Sequence, residues 1–424
     1  MLDIPQINPF NTPHQPSVGI QFISNGPIFI MQQLNVSRGL NLPDPVRVSR
    51  YKRLPELGPT LLFFSGGSAL NPTARALKQY THNSIHFMTP FDSGGSSAVL
   101  RHAFGMPAIG DLRSRLIALA DESVLGQSEI YRLFTHRFPN TATLDDLQGD
   151  LVDMLEGHGE LMSRVSNPMR GLIRNQLAFF HDAMPSNFDL RGASIGNLIL
   201  AGGYLNNNQK LDPIIFLFSK LVNTLGTVVA TVDARLHLAV ELESGEVIVG
   251  QHNMTGKETA PIRSPIARTY LTRSLAGGDP VEIEISPKRR HLIESADLIC
   301  YPPGSFHSSL IANLLPKGVG RSIAQSPNPK VYVPNLGTDP EQFGLSHNER
   351  IDALLKHLRV DAGQDTPTEK LLNFVIADEQ QAMEFDWAAL EAQGISLIGC
   401  DLTTPESVPY YDPEKLVTTL LSFV

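Results

Sequence analysis

The sequence predicts an α/β protein with a mostly parallel sheet, and three observations carry that reading. Short continuous apolar runs at Leu61 to Phe64, Ile85 to Met88, Leu298 to Tyr301 and Lys330 to Val333 have the length and composition of strands covered on both faces. Each runs into a segment rich in Gly, Ser, Asn or Asp, and helical stretches follow the first two. Residues 350–424 then alternate helix, strand, helix, strand and helix, the order that builds a parallel sheet through crossover helices.

Taken in order, residues 1–58 are rich in Pro and Asn, offer one strand at Ile28 to Met31 and lack helical periodicity. They read as an N-terminal extension packed on the main fold, which fills residues 59–424. Leu61 to Phe64 is a strand, Ser65-Gly66-Gly67-Ser68 a tight turn, and Pro72 to Tyr80 a helix. Ile85 to Met88 is the next strand, followed by the turn Phe91 to Ser97 and a helix at Ala98 to Ala103. Helices are expected at Leu112 to Ala120, Leu144 to Leu161 and Pro168 to Ala183, so residues of about 120–190 form a helical insertion. In the second of these, Leu147, Leu151, Met154 and Leu155 recur at helical spacing. A helix starts at Ile195, and Ile214 to Thr231 reads as a buried helix leading into a strand. Period-two alternation across Val228 to Val249, turning at Ser244-Gly245, predicts a hairpin or small antiparallel sheet. A further helix is expected at Leu310 to Leu315, and strands at Leu371 to Ile376 and Ile395 to Cys400.

Composition bounds the function. The 424 residues are 42% apolar and 18% charged with a net charge of −9, a globular balance with no basic field to gather nucleic acid or anionic lipid. The longest greasy region, Ile214 to Thr231, is interrupted by Lys220, Asn223 and Thr224 and falls short of a membrane span of about 20 apolar residues. Met1 to Pro5 lacks the basic start and apolar stretch of a signal peptide. Two cysteines, Cys300 and Cys400, each end an apolar run and are expected in the core. A cytoplasmic protein is expected, folding alone or as an oligomer, with a homodimer one possible state.

The turns that close the strands carry the chemistry. Gly66, Gly67 and Ser68 let backbone N–H groups approach an anion just before a helix, although a plain tight turn has the same composition. Asp92, Ser93, Gly94, Gly95 and Ser96 add a carboxylate and hydroxyls, so Asp92 either binds Mg²⁺ or caps the next helix. Asp111 either caps a helix or faces the ligand, and Arg101 and Arg113 offer forked donors for phosphate. Asn197 opens an apolar helix, as cap or as ligand contact. Gly304 and Ser305 precede another helix start suited to an anion, with His307 as a candidate general acid or base. Asn335 and Thr338 sit in a fourth polar turn. No zinc-hydrolase spacing and no nucleophile elbow is present. At the carboxyl ends of parallel strands, such turns line the ligand crevice.

Taken in this order, Ser65-Gly66-Gly67-Ser68-Ala69-Leu70, Asp92-Ser93-Gly94-Gly95-Ser96-Ser97 with Gly110-Asp111-Leu112-Arg113, Ser194-Ile195-Gly196-Asn197-Leu198, Pro303-Gly304-Ser305 and Asn335-Leu336-Gly337-Thr338 resemble the CofD-like family. That family contains the 2-phospho-L-lactate transferases and the YvcK-like gluconeogenesis factors. Tyr411-Asp412-Pro413-Glu414-Lys415-Leu416 is similar to its C-terminal His-Asp-Pro-x-Lys-Leu, with Tyr411 in place of His. The resemblance spans residues of about 60–424 and implies a Rossmann-like three-layer fold that binds a nucleoside diphosphate group at the strand ends. In the transferases, Mg²⁺ assists transfer of a phospholactyl-type group from a guanosine-diphosphate-linked donor to a hydroxyl acceptor. By that resemblance Gly66, Gly67 and Ser68 would cradle phosphate, Asp92 would bind metal or orient the acceptor, and Asn197 and Ser305 would fix the donor. The Asp-x-Gly-Gly-Ser-Ser and Gly-Asp-Leu-Arg stretches are nearer the YvcK-like branch, whose members bind a UDP-sugar and regulate carbon metabolism or cell-wall precursor supply. That branch carries adjacent aspartates where Phe91 precedes Asp92 here.

Overall fold

Alternation within the run from Leu61 to Phe64 shows why the main sheet is covered on both sides. Leu61 and Phe63 join an apolar cluster with Leu298, Cys300, Val331 and Ile376, while Leu62 and Phe64 join another with Ile299, Tyr301, Tyr332 and Val375. Successive strand side chains point to opposite faces, so an unbroken apolar run needs a layer on each. One face packs against helices Asn71–Leu77 and Pro413–Leu421 and, further along the sheet, against the helices of residues 95–221. Helices Pro287–Glu294, Val319–Gln325 and His347–Ala362 cover the other. The fold is therefore the expected three-layer α/β sandwich.

The computed structural model describes residues 39–123, 128–256 and 259–424 and the backbone of two short strands, β1 (Gly19–Ile20) and β2 (Ile30–Met31). Two compact units make up the chain, Met1–Asn41 and Leu42–Val424. In the first, β1 pairs antiparallel with β2; Ile28 and Phe29 of the expected strand lie outside the described residues. The second holds β3 (Leu61–Ser65), β4 (Ile85–Met88), β5 (Thr227–Ala230), β6 (His237–Leu242), β7 (Val247–Val249), β8 (Ile266–Thr272), β9 (Leu298–Tyr301), β10 (Lys330–Tyr332), β11 (Phe374–Asp378) and β12 (Ser396–Cys400). Seven of them form an all-parallel sheet in the order β12-β11-β10-β9-β3-β4-β5. Chain order runs outward from β3 to β5 on one side and from β9 to β12 on the other. The reversal between β3 and β9 is the topological switch point, where a ligand crevice opens at the carboxyl ends of the strands.

Several local differences from the sequence reading have physical causes. Helix Pro45–Arg53 lies in a stretch read as non-helical: Asp44 caps the N–H groups of Val46 and Arg47, Pro45 fits the first turn, and none of its residues is buried, so no apolar stripe marks it. Arg47 and Tyr51 tie this helix to the C-terminal carbonyls of Ser422 and Val424. The helix expected to reach Leu161 stops at Glu156, because Gly157 adopts a left-handed φ of +86° and ends it. β5 joins the edge of the main sheet, and the antiparallel sheet is β7-β6-β8, with β8 unforeseen. Both cysteines are free; Cys300 is buried as expected, whereas Cys400 on edge strand β12 is only half-buried. Among the described residues no helix is long and apolar enough to cross a membrane.

Candidate functional site

The turns after β3 and β4 meet in a cleft of about 430 Å³, one strand to the side of the switch point. Gly67 and Gly95 hold φ of +57° and +48°, left-handed conformations that a side chain disfavours, and both line the cleft with Ser68, Gly94 and Ser96. Helix Gly95–Phe104 starts at this wall, bringing the positive end of its dipole to the space. Helix Gly110–Ala118 contributes Asp111 and Arg113, and the start of helix Ile195–Asn206 contributes Asn197, whose Nδ2 donates to Ser96 Oγ at 3.1 Å. Gly110 lets these parts close up: a Cβ there would lie 2.4 Å from Ser97 Oγ and 3.7 Å from Asp92 Oδ2.

Two arginines give the cleft its character. Arg113 and Arg137 both line it, and neither forms an ion pair with a carboxylate among the described residues. Among the described residues, Arg113 donates weakly to the Phe134 carbonyl at 3.4 Å, and its buried Nε has no partner. Burial, and then repulsion from Arg137, lower its pKa to about 10 against the opposing pull of Asp111. It stays cationic at neutral pH, and an anion beside both guanidiniums would relieve the strain. Asp92 and Asp111 line the same cleft. Asp111 Oδ2 accepts the Gly67 N–H at 2.7 Å, and Asp92 Oδ1 accepts the Gly94 N–H at 3.0 Å.

On the third side, residues after β7 bring Gln251, His252 and Thr255. The Ser93 hydroxyl lies 2.8 Å from His252 Nδ1 and accepts the His252 backbone N–H at 3.4 Å. The imidazole tautomer decides which of the two donates; with Nδ1–H donating to Ser93 Oγ, Nε2 keeps a free lone pair on the far side of the ring.

Asp92 fits a magnesium ion held mainly through its ligand. Its Oδ2 has no hydrogen bond among the described residues, and no group of three or more His, Cys, Asp or Glu gathers there. One or two carboxylates completed by phosphate oxygens and water is the usual Mg²⁺ arrangement.

Other expected residues are placed differently. Arg101 is 4% exposed and donates to the carbonyls of Phe91 and Asp92 and to Leu236, so it shapes the turn and does not line the cleft. Gly66 packs under the turn, where a Cβ would meet Ser309 Oγ and Thr89 Oγ1 at 2.8 Å. The anion site expected at the helix start after Gly304 and Ser305 is filled from within: Asp339 accepts the Phe306 N–H, and Glu341 accepts those of His307 and Ser308. Asn335 exchanges two 2.7 Å hydrogen bonds with the Gly304 backbone. Asn335 and Thr338 line a separate cavity of about 970 Å³. His307 is 1% exposed, lies 2.7 Å from Thr269 Oγ1 through Nδ1, and is pushed to about 3 by burial and by His357. The proposed acid-base role for it does not fit this position, because a sealed ring outside the cleft cannot reach a reacting group. Tyr411 braces the fourth turn, its hydroxyl 2.8 Å from the Pro334 carbonyl, and Asp412 caps the last helix.

Arg137 and His252 were not anticipated. His252 follows Gly250 in a polar turn after a strand, the same signal that marked the other turns. Arg137 carries no local signal.

The family model described as 2-phospho-L-lactate transferase CofD matches residues 61–406. The gluconeogenesis factor of Bacillus subtilis is 27% identical over 376 residues, covering 86% of this chain and 98% of that one. That of Listeria monocytogenes is 24% identical, covering 87% and 97%. A crystal structure of a UPF0052 family member from Bacillus halodurans superposes with a TM-score of 0.61 at 23% identity over 86% of this chain and 99% of that chain, a likeness of fold. With the family match running from the first strand of the main sheet past the last, the chain belongs to the CofD family.

Proposed function

We propose that the cleft binds a nucleotide-diphosphate-linked ligand with Mg²⁺ at Asp92, and that the protein transfers a phosphorylated, phospholactyl-type group from it to a hydroxyl acceptor. The observation that carries this reading is the convergence of Arg113 and Arg137, unpaired with a carboxylate among the described residues, on the space lined by Asp92 and His252. Phosphoryl transfer needs positioning and charge neutralisation more than a covalent device. Arg113, Arg137 and the Gly94-Gly95 backbone would hold the phosphate oxygens. When bound, Mg²⁺ would neutralise phosphate charge beside Asp92. The acceptor oxygen bonds to phosphorus, the phosphoanhydride bond breaks, a nucleoside monophosphate leaves, and His252 takes the acceptor proton at its ring, held in place by Ser93. Titration with GDP and UDP, with and without Mg²⁺, tests binding. Turnover of a diphosphate-linked donor that His252→Gln abolishes while diphosphate affinity persists supports transfer.

A second reading rests on the relatives themselves. The factors from Bacillus subtilis and Listeria monocytogenes match along 98% and 97% of their lengths and are named for gluconeogenesis. On this reading the cleft senses a nucleotide-sugar-type molecule and regulates carbon metabolism or cell-wall precursor supply. Saturable binding without turnover of any donor favours it.

A further inference from the structure

The two edges of the main sheet differ in cover. β5 closes one edge, and its Val228, Val229 and Ala230 are buried. β12 closes the other, and none of its five residues, Ser396, Leu397, Ile398, Gly399 and Cys400, is buried. A bare strand edge recruits other strands, and proteins ordinarily blunt it with charge, proline, a bulge or a covering segment. β12 carries no charged residue and no proline, and it pairs with β11 in unbroken register.

Its polar groups fit a particular partner. The Ser396 N–H donates to the Asn373 carbonyl on the β11 side. Backbone groups alternate sides along a strand, so Ser396, Ile398 and Cys400 turn theirs to β11. The N–H and C=O groups of Leu397 and Gly399 therefore point outward, with no partner among the described residues. The side chains of this pair face helix Glu379–Ala382, where a Cβ on Gly399 would lie 3.3 Å from Ala382 Cβ. Trp387 joins the same layer, its Nε1–H donating to the Ala382 carbonyl at 3.0 Å. Trp387 and Met383 are nevertheless 51% and 75% exposed.

We infer that β12 is a dimerisation edge, and that it pairs antiparallel with β12 of a second copy of this chain about a two-fold axis at Ile398. Leu397 of each copy then exchanges both backbone hydrogen bonds with Gly399 of the other, four bonds in all, and sits beside the space that glycine leaves. Ile398 packs on its own counterpart, and Ser396 stands opposite Cys400. The edge is thus self-complementary, as a two-fold interface requires. No charge opposes the pairing within the strands, and Asp401, next in sequence, is matched inside its own chain by Lys415 at 2.7 Å. A stable interface buries at least about 1,200 Å² in all, more than two short edges supply. The exposed Trp387 and Met383, on the layer over Gly399, are the apolar surface that makes up the remainder. The two seven-stranded sheets become one continuous sheet, whatever ligand the cleft binds.

Sedimentation velocity on the full chain at micromolar concentration tests the state, with a mass twice the 46.5 kDa of one chain expected. Ile398→Lys sets two like charges against each other at the axis and should sediment as a monomer with its circular dichroism unchanged. A covalent trap tests the register without weakening the fold. In an antiparallel pair of this type, Cα atoms at positions 396 and 400 lie about 4.5 Å apart, inside disulfide range. With diamide as oxidant, Ser396→Cys should give a covalent dimer through Cys400 of the second copy. The same variant carrying Cys400→Ser should not, because the two introduced thiols lie about 14 Å apart at roughly 3.4 Å per residue. The parent, whose two Cys400 thiols are equally distant, should not either. A monomer in sedimentation overturns the inference. So does a dimer that Ser396→Cys fails to trap, or trapping that survives Cys400→Ser, since either places the contact elsewhere.

Discussion

The Gly67 amide donates to Asp111 Oδ2 at 2.7 Å. One bond thus joins the turn after β3 to the Gly-Asp-Leu-Arg segment, and it puts a protein carboxylate on an N–H that the sequence reading gave to a phosphate. A diphosphate entering the cleft meets that negative charge as well as Arg113 and Arg137.

Substituting Asp111→Asn keeps an acceptor for Gly67 and removes the charge. In EDTA, diphosphate affinity should rise about fivefold, corresponding to roughly 1 kcal/mol for one nearby like charge in a partly solvated site. Calorimetry on both proteins without metal measures this. Unchanged or weaker binding would mean that Asp111 does not oppose the anion.

Arg137 tests the other sign. It is exposed and makes one hydrogen bond to the Gly192 carbonyl at 3.1 Å, so Arg137→Gln should leave the melting temperature nearly unchanged. Losing a charge-assisted contact to phosphate costs about 2 kcal/mol, or roughly thirtyfold in diphosphate affinity. A variant that binds as well as the parent would remove Arg137 from the site.

What the sequence revealed and concealed follows from the range of the interactions. The strands β3, β4, β9 and β10 and their turns were legible because apolar runs and Gly-Ser segments are local features, and Asp92, Asp111, Arg113 and Asn197 do meet as the order of turns suggested. Arg137 and His252 reach the cleft from the helical insertion and the small sheet, a convergence that only tertiary packing creates. β8 was hidden because its residues Ala267 and Arg268 are exposed and Thr269 is buried, which breaks the apolar alternation. The helix start after Ser305 illustrates the same limit: its N–H groups are visible in sequence, but not that Asp339 and Glu341 already occupy them.

Glu341 yields a pH prediction. Burial, and then the neighbouring Asp339, push its carboxyl up to about 7 despite the hydrogen bonds from Ser308 and His307. The folded state therefore holds a proton that the unfolded chain releases near the ordinary value of 4.5. For a raised acid, stability is greatest below the unfolded pKa and falls as pH climbs to the folded pKa. Glu341→Gln mimics the protonated carboxyl, its amide oxygen accepting from the two backbone N–H groups and its amine donating to Ser308 Oγ. The melting temperature of the variant relative to the parent should rise between about pH 5 and pH 7.5 and level off above that. A difference that stays constant across this window would assign the proton to another group.

Gly202 tests the packing that holds Asn197 in place. Helix Ile195–Asn206 carries Asn197 at one end and Gly202 further along, where it crosses helix Met169–Ala183. A Cβ at Gly202 would lie 1.8 Å from the Gln176 carbonyl oxygen and 3.0 Å from the Phe180 nitrogen, and backbone cannot rotate away as a side chain would. Alanine has the better helix propensity by about 1 kcal/mol, so propensity alone predicts a gain. The contact outweighs it: forcing the two helices apart should cost at least about 3 kcal/mol, the upper end for overpacking. Gly202→Ala should therefore melt well below the parent. Diphosphate affinity should fall with it, because the displaced helix carries Asn197 away from Ser96. Gly149→Ala is the control, since a Cβ at that helical glycine meets nothing within 4 Å and should stabilise the protein by about the propensity difference. If Gly202→Ala were as stable as the parent, the close crossing of the two helices would be disproved.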